Sequence, residues 1–258
     1  MKLHCHKLGE GPNVLLAFHG IGQDGISCFD SFEKNLGDHY TIYAFDLFFH
    51  GKSKSLDKQL ISKEYWSECI HEFLDKNNIL HFDVAGFSMG GRFALATLEA
   101  FPERIENVFL IAPDGISEHP LYNLASRFQP ARWLFRHSMQ RPETFLRTAG
   151  YLQKAGLVHK SLFRFTQQLL DTPQKRQTIY NSWTGFRKLK FDIPALYQTA
   201  VQNDIRIFLF TGKYDKLLKP AHVKKLAEML PPNRYIVLNC GHTQMVEQAC
   251  LQMCALIK

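Results

Sequence analysis

The stretch Gly86-Phe87-Ser88-Met89-Gly90-Gly91 constrains this chain more than any other. A short apolar run, Phe82-Asp83-Val84-Ala85, precedes it and reads as a buried strand. Arg92 to Ala100 follows it and reads as a helix. Between a strand and a helix, Gly-x-Ser-x-Gly predicts a sharp turn that lifts the serine hydroxyl above a sheet. Such a turn holds Ser88 in a strained backbone conformation, and its neighbours must be small for strand and helix to close up. The Met89 N–H then faces, from a helix N-terminus, the place where an oxyanion would develop. Ser88 is therefore the candidate nucleophile.

The rest of the chain repeats the same alternation. Leu3 to Leu8 alternates and predicts a first strand. Val14 to Phe18, Tyr40 to Phe45, Asn107 to Ala112, Ile205 to Phe210 and Tyr235 to Leu238 are apolar runs of strand length. Helical spacing covers Phe29–Leu36, Glu64–Asn77, Ala221–Leu230 and Val246–Ile257. Strands alternating with helices predict an α/β protein, a mostly parallel central sheet wrapped by helices. No run of eighteen apolar residues predicts a membrane span. The first residues lack an apolar core of signal length, so a cytoplasmic protein is expected. Six scattered cysteines without a Cys-x-x-Cys pair predict reduced thiols. His4-Cys5-His6 does not predict a metal site, because strand alternation turns Cys5 away from the two histidines.

The alternation breaks once. From Ser117 to Ala200 there are helical patterns and no strand, too long a stretch for a simple connection. Residues 117–200 are therefore assigned to a helical insertion, and 1–116 with 201–258 to the sheet domain. Charge is concentrated there. Thirteen Lys and Arg stand against Glu143 and Asp171 between Arg127 and Lys190, a net +11 in a chain of net +7. Such asymmetry speaks to partners. It favours an anionic small molecule or an anionic lipid surface. Nothing resembles a nucleic-acid reading motif, so nucleic acid is not expected.

In an open α/β sheet, ligands bind beyond the carboxyl ends of the strands. Ser88, Asp215 and His242 each follow a strand end, as do Asp114 and the loop His19-Gly20-Ile21-Gly22. The ordered set His19-Gly20, Asp46…Gly51-x-Ser53, Gly86-x-Ser88-x-Gly90-Gly91, Gly212-x-x-Asp215 and Gly241-His242 resembles the α/β-hydrolase superfamily over nearly the whole length. The resemblance implies a cap inserted after the sixth strand; no cofactor and no metal are expected. It also implies a Ser88-Asp215-His242 triad, with Asp114 as a rival acid one strand earlier. The Ile21 and Met89 N–H groups would form the oxyanion hole, and His19 would brace its loop. The family loop usually reads Asp-x-x-Gly-His-Gly-x-Ser, and Phe49 replaces its first glycine. Either that loop takes another path, with Phe48 or Phe49 lining the acyl pocket, or the two rings pack beneath it.

A serine nucleophile excludes chemistry that needs an aspartate ester, such as epoxide hydrolysis. The expected substrate is a carboxylic ester or thioester whose acyl group is anionic or lipid-like, with aromatic insertion residues such as Trp133 around it. Peripheral membrane contact through the basic insertion is the companion expectation. The elbow with Arg92 is also similar to that of the menaquinone-pathway synthase of 2-succinyl-6-hydroxy-2,4-cyclohexadiene-1-carboxylate. That resemblance implies a lyase in which Arg92 binds substrate carboxylates. A hydrolase-fold receptor that keeps the triad but scarcely turns over is the reading from a different class.

Overall fold

The computed structural model describes residues 3–53, 60–118 and 120–257. Met1 and Lys2, at the head of the stretch weighed for a signal, lie outside them. Among the described residues seven strands form one sheet: β1 (Cys5–Leu8), β2 (Asn13–Phe18), β3 (Tyr40–Phe45), β4 (Phe82–Phe87), β5 (Ile105–Ile111), β6 (Arg206–Gly212) and β7 (Tyr235–Leu238). Their spatial order is β1-β3-β2-β4-β5-β6-β7. β1 pairs antiparallel with β3, and every other pairing is parallel.

The apolar runs are continuous because both sheet faces are covered. Along β2, Leu15 and Ala17 belong to one core cluster and Leu16 and Phe18 to the other, the period-two alternation of a strand. Helices α1 (Gly25–Leu36) and α11 (Met245–Leu256) cover the first face and pack on each other. Helices α2 (Lys63–Lys76) and α3 (Gly90–Ala100) cover the second. The predicted helix over 221–230 is shorter. Pro220 opens a tight 3₁₀ turn to Val223, and only α10 (Lys224–Ala227) follows as α-helix.

Between β5 and β6 run α4 (Pro120–Arg127), α5 (Gln129–Gln140), α6 (Pro142–Lys154), α7 (Lys160–Leu170), α8 (Pro173–Gly185) and α9 (Ile193–Gln202). The helices thus follow the fifth strand, not the sixth as expected, because among the described residues only β1 to β5 stand before them. α9 begins inside the segment 117–200, runs on to Gln202, and buries Ile193, Leu196 and Ala200 in the large core cluster. The preceding helices share a small cluster of their own, built on Met139, Leu170 and Ile179. Ile21, from the loop after β2, packs against that cluster. The Thr178 hydroxyl donates to the Phe49 carbonyl at 3.3 Å, and the Ile61 N–H donates to the Gly185 carbonyl at 2.9 Å. These contacts seat the helical layer over the carboxyl ends of the strands. Among the described residues no helix is long and apolar enough to cross a membrane, and all six cysteines are free.

Candidate active site

β4 ends at Phe87 and α3 begins at Gly90, so the turn between them is as tight as the sequence requires. Ser88 has φ +51°, a left-handed conformation that costs an L-residue roughly 1–2 kcal/mol. Three backbone bonds hold it there. The Ser88 N–H donates to Ile111, and the Ser88 carbonyl accepts from Gly91 and Asp114, at 2.8–2.9 Å. A Cβ on Gly90 would lie 1.9 Å from the Phe18 carbonyl oxygen, and one on Gly86 would lie 2.7 Å from Ala94 Cβ. Both glycines are demanded by the close approach of β2, β4 and α3.

His242 follows β7 in a short 3₁₀ turn. Its Nδ1 lies 2.7 Å from Asp215 Oδ2. Asp215 is 2% exposed, and its other oxygen accepts from the Leu217 and Leu218 N–H groups at 2.8 and 3.0 Å. The imidazole lies against the Phe87 ring at 4.9 Å, and Phe165 of α7 stands edge-on above it at 6.3 Å. Ser88 and His242 line one cavity of about 1150 Å³. Asp114 is placed otherwise: its carboxylate binds Arg92.

Ile21 lines the same cavity as Ser88, and Met89 lines a second cavity on the other side of it. Among the described residues neither backbone N–H donates to a protein acceptor, which leaves both available to a ligand oxygen. Two histidines tie their loop down. His19 Nδ1–H donates to the Gly20 carbonyl at 2.7 Å while Nε2 accepts the Leu47 N–H at 3.0 Å. His50 Nε2 accepts the Gly22 N–H at 3.1 Å, and its Nδ1–H donates to the Phe48 carbonyl at 2.9 Å. Complete burial lowers the His19 pKa to about 4, so the ring is a neutral brace. It lines neither cavity. His50 was missed in the sequence, although it stands in the quoted loop motif.

The remaining pocket candidates divide. Phe49 lines the larger cavity, and its φ of +70° shows that the loop keeps a glycine-like path without the glycine. Phe48 is fully buried among Tyr65, Trp66 and Phe93 and lines neither of these two cavities. Trp133 is 68% exposed and stacks on His137, one turn along α5, outside both cavities. Arg92 does line the smaller cavity, but it is 2% exposed and bound to Asp114 and the Leu189 carbonyl. Of the thirteen cations between Arg127 and Lys190, Lys175 alone lines either cavity. Nine of the thirteen are exposed, where solvation is cheapest, and Arg127, Arg132, Arg176 and Arg187 are half-buried.

His4, His6 and Asp46 bring three possible metal-ligand atoms within 4.8 Å of one another. Strand alternation had considered only Cys5 as the third donor; pairing of β1 with β3 brings in Asp46 instead. The Asp46 carboxylate is already engaged, by the Gly25 and Lys52 N–H groups at 2.8 Å and by His6 Nε2 at 3.2 Å. It ties the start of α1 to the loop after β3.

A family profile described as alpha/beta hydrolase fold matches residues 13–249. Abhydrolase domain-containing protein abhd-5.2 of Caenorhabditis elegans is 33% identical over 111 residues, 42% of this chain and 24% of that protein. The chain therefore spans about a quarter of that relative's length. The 2-hydroxy-6-oxo-2,4-heptadienoate hydrolase of Pseudomonas putida is 22% identical over 96% of this chain and 88% of its own. The fold is similar to the enol-lactonase of Burkholderia xenovorans LB400, with TM-score 0.65, 19% identity, and coverage of 99% of this chain and 95% of that one. With the profile spanning nearly its full length and the sheet, elbow and loops in matching order, the chain belongs to the alpha/beta hydrolase family.

Proposed function

We propose that the protein is a serine hydrolase that cleaves a carboxylic ester or thioester through an acyl-enzyme. One observation carries this reading: Ser88, on a strained elbow, and His242, held by a buried Asp215, open onto the same cavity. A serine hydroxyl needs such a base. In acylation the Ser88 Oγ adds to the carbonyl carbon as its proton passes to His242 Nε2. Asp215 accepts from Nδ1–H and stabilises the imidazolium. The carbonyl oxygen, now an oxyanion, takes the Ile21 and Met89 N–H groups. The tetrahedral adduct collapses, the bond to the leaving group breaks, and His242 returns the proton to it. Water then repeats the sequence on the acyl-enzyme, releasing a carboxylic acid and restoring Ser88.

The lyase reading assigns Arg92 to substrate carboxylates. Its guanidinium is instead taken up by Asp114 and a backbone carbonyl, which favours the hydrolase. The enol-lactonase among the similar folds is named for an acyl C–O bond of the same class; that likeness speaks for the fold, and the bond class rests on the triad. Treatment with a fluorophosphonate, followed by mass spectrometry, tests the assignment. A single adduct on Ser88 and turnover of a short 4-nitrophenyl ester are expected, with both lost in Ser88→Ala. Labelling that persists in that variant would sink the nucleophile, and a lasting adduct with an ester, without turnover, would mark a receptor.

A further inference from the structure

Ser88 and Ile21 stand between two cavities and are the residues common to both linings. The larger carries His242. The smaller, about 560 Å³, carries Met89 and an apolar wall that includes Leu162, Trp183 and Phe186. This volume falls within the roughly 300–1,000 Å³ of small-molecule sites. The two sides are chemically distinct once a carbonyl carbon is placed at Ser88. A leaving group must depart on the side of the base that protonates it. His242 faces the larger cavity alone, so the leaving group belongs there and the acyl chain in the smaller one.

The smaller cavity also has a charge of its own. Arg92 and Asp114 line it and neutralise each other. Lys216 and Lys219 line it as well, and among the described residues neither has an acidic partner. The larger cavity has the opposite balance. Asp24, Asp30 and Glu247 stand there against Lys34 and Lys175, and both lysines are paired one turn back, to Asp30 and Asp171. Tyr122 lines the smaller cavity with its ring, which lies 4.5 Å from the Arg92 guanidinium; its hydroxyl is buried and has no hydrogen-bond partner among the described residues. The lysines are not on a free tail. Asp215, which holds His242 with one oxygen, caps the Lys216–Lys219 turn with the other.

Resting on the serine-hydrolase reading, we propose that the smaller cavity is the acyl subsite and takes an acyl chain ending in a carboxylate. Lys216 and Lys219 receive that carboxylate, and an uncharged or cationic leaving group occupies the larger cavity. The cations that select the substrate then come from the loop after β6, in the sheet domain, and not from the basic helices.

The test compares mono-4-nitrophenyl suberate with 4-nitrophenyl methyl suberate, alike in length but with the terminal charge capped. The free acid is expected to have a kcat/KM roughly tenfold higher, the scale of two exposed charge pairs. The preference should fall toward parity in 1 M salt, where the Debye length is about 3 Å. Lys216→Gln with Lys219→Gln should remove it. Suberate should slow fluorophosphonate labelling of Ser88 in the unmutated protein, and 1,8-octanediol should not. Equal kcat/KM for the two esters, with Ser88 still labelled, would overturn the subsite and leave the hydrolase standing. A preference that survives in the double variant would overturn the role of the lysines. No labelling of Ser88 and no turnover of either ester would overturn the hydrolase reading, and this one with it.

Discussion

Arg92 grips Asp114 with two contacts, Nε to Oδ2 at 2.6 Å and Nη2 to Oδ1 at 3.1 Å. Glu118 adds a longer one at 3.4 Å, and the Tyr122 ring lies under the guanidinium at 4.5 Å. This one pair bears on two questions that the sequence left open. It occupies the rival acid, and it occupies the arginine that a lyase would need.

The first prediction follows for the two aspartates. Asp215→Asn leaves the fold intact and lowers kcat by a factor on the order of 10⁴, because the imidazole loses its tautomer. Asp114→Asn changes kcat by no more than a few-fold but weakens a buried guanidinium's pairing. With Asp114 partly exposed and Glu118 nearby, the stability loss should be about 2 kcal/mol, below the 3–5 of a fully buried pair. Steady-state kinetics and urea unfolding on both variants decide it. The reverse pattern in kcat would move the acid to the end of β5.

A second prediction concerns Phe49, which holds φ +70° without being glycine. Phe49→Gly relieves roughly 1–2 kcal/mol of left-handed strain. It also removes a ring that is 5% exposed and stacked on Phe186 at 5.7 Å, worth about 3–5 kcal/mol in a core. Packing outweighs strain, so the variant should lose about 2–3 kcal/mol in urea unfolding. A variant more stable than the parent would show the order of the two effects to be reversed.

Third, His19 makes stability depend on acid. Burial lowers its folded pKa to about 4, against 6.5 in the unfolded chain. As pH falls below about 6.5 the unfolded chain takes up this proton and the folded one does not, so stability is lost between about 6.5 and 4. This group alone should cost about 2 kcal/mol by pH 5 and about 3 kcal/mol by pH 4. Denaturant midpoints for the parent and His19→Asn between pH 7 and pH 4.5 measure the contribution. The variant should show the shallower slope, and parallel slopes would mean that His19 takes up its proton in the fold as readily as in the unfolded chain.

Fourth, the basic helices should be bystanders to selection between small esters. Arg132, Arg136 and Arg141 line neither cavity. Reversing all three to Glu should leave the preference for the free-acid suberate ester within about twofold of the parent at physiological salt, where screening acts over about 8 Å. A collapse of that preference would return the selecting charge to the insertion.

The order of elements was legible in the sequence for a physical reason. A strand covered on both faces must be apolar throughout, and a strand-to-helix turn around a strained serine must be flanked by glycine. Such local demands are written in residue type, and they located β2, β4 and the elbow within a residue or two, whereas Asp215 and His242 were picked out by the family resemblance. Phe49 shows the limit: its type denied the left-handed turn that the surrounding packing imposes. Direction in space was not legible. Arg132 and Lys216 are both cations near helical patterns, yet only Lys216 faces the site. That difference is set by how the insertion sits over the sheet, through Ile21 in its small core and Thr178 on Phe49. The partners of Arg92, the third donor beside His4 and His6, and the side of Ser88 that carries His242 are likewise contacts between segments far apart in sequence. Local residue type determined which groups the protein has; which of them meet was decided by the packing of distant elements.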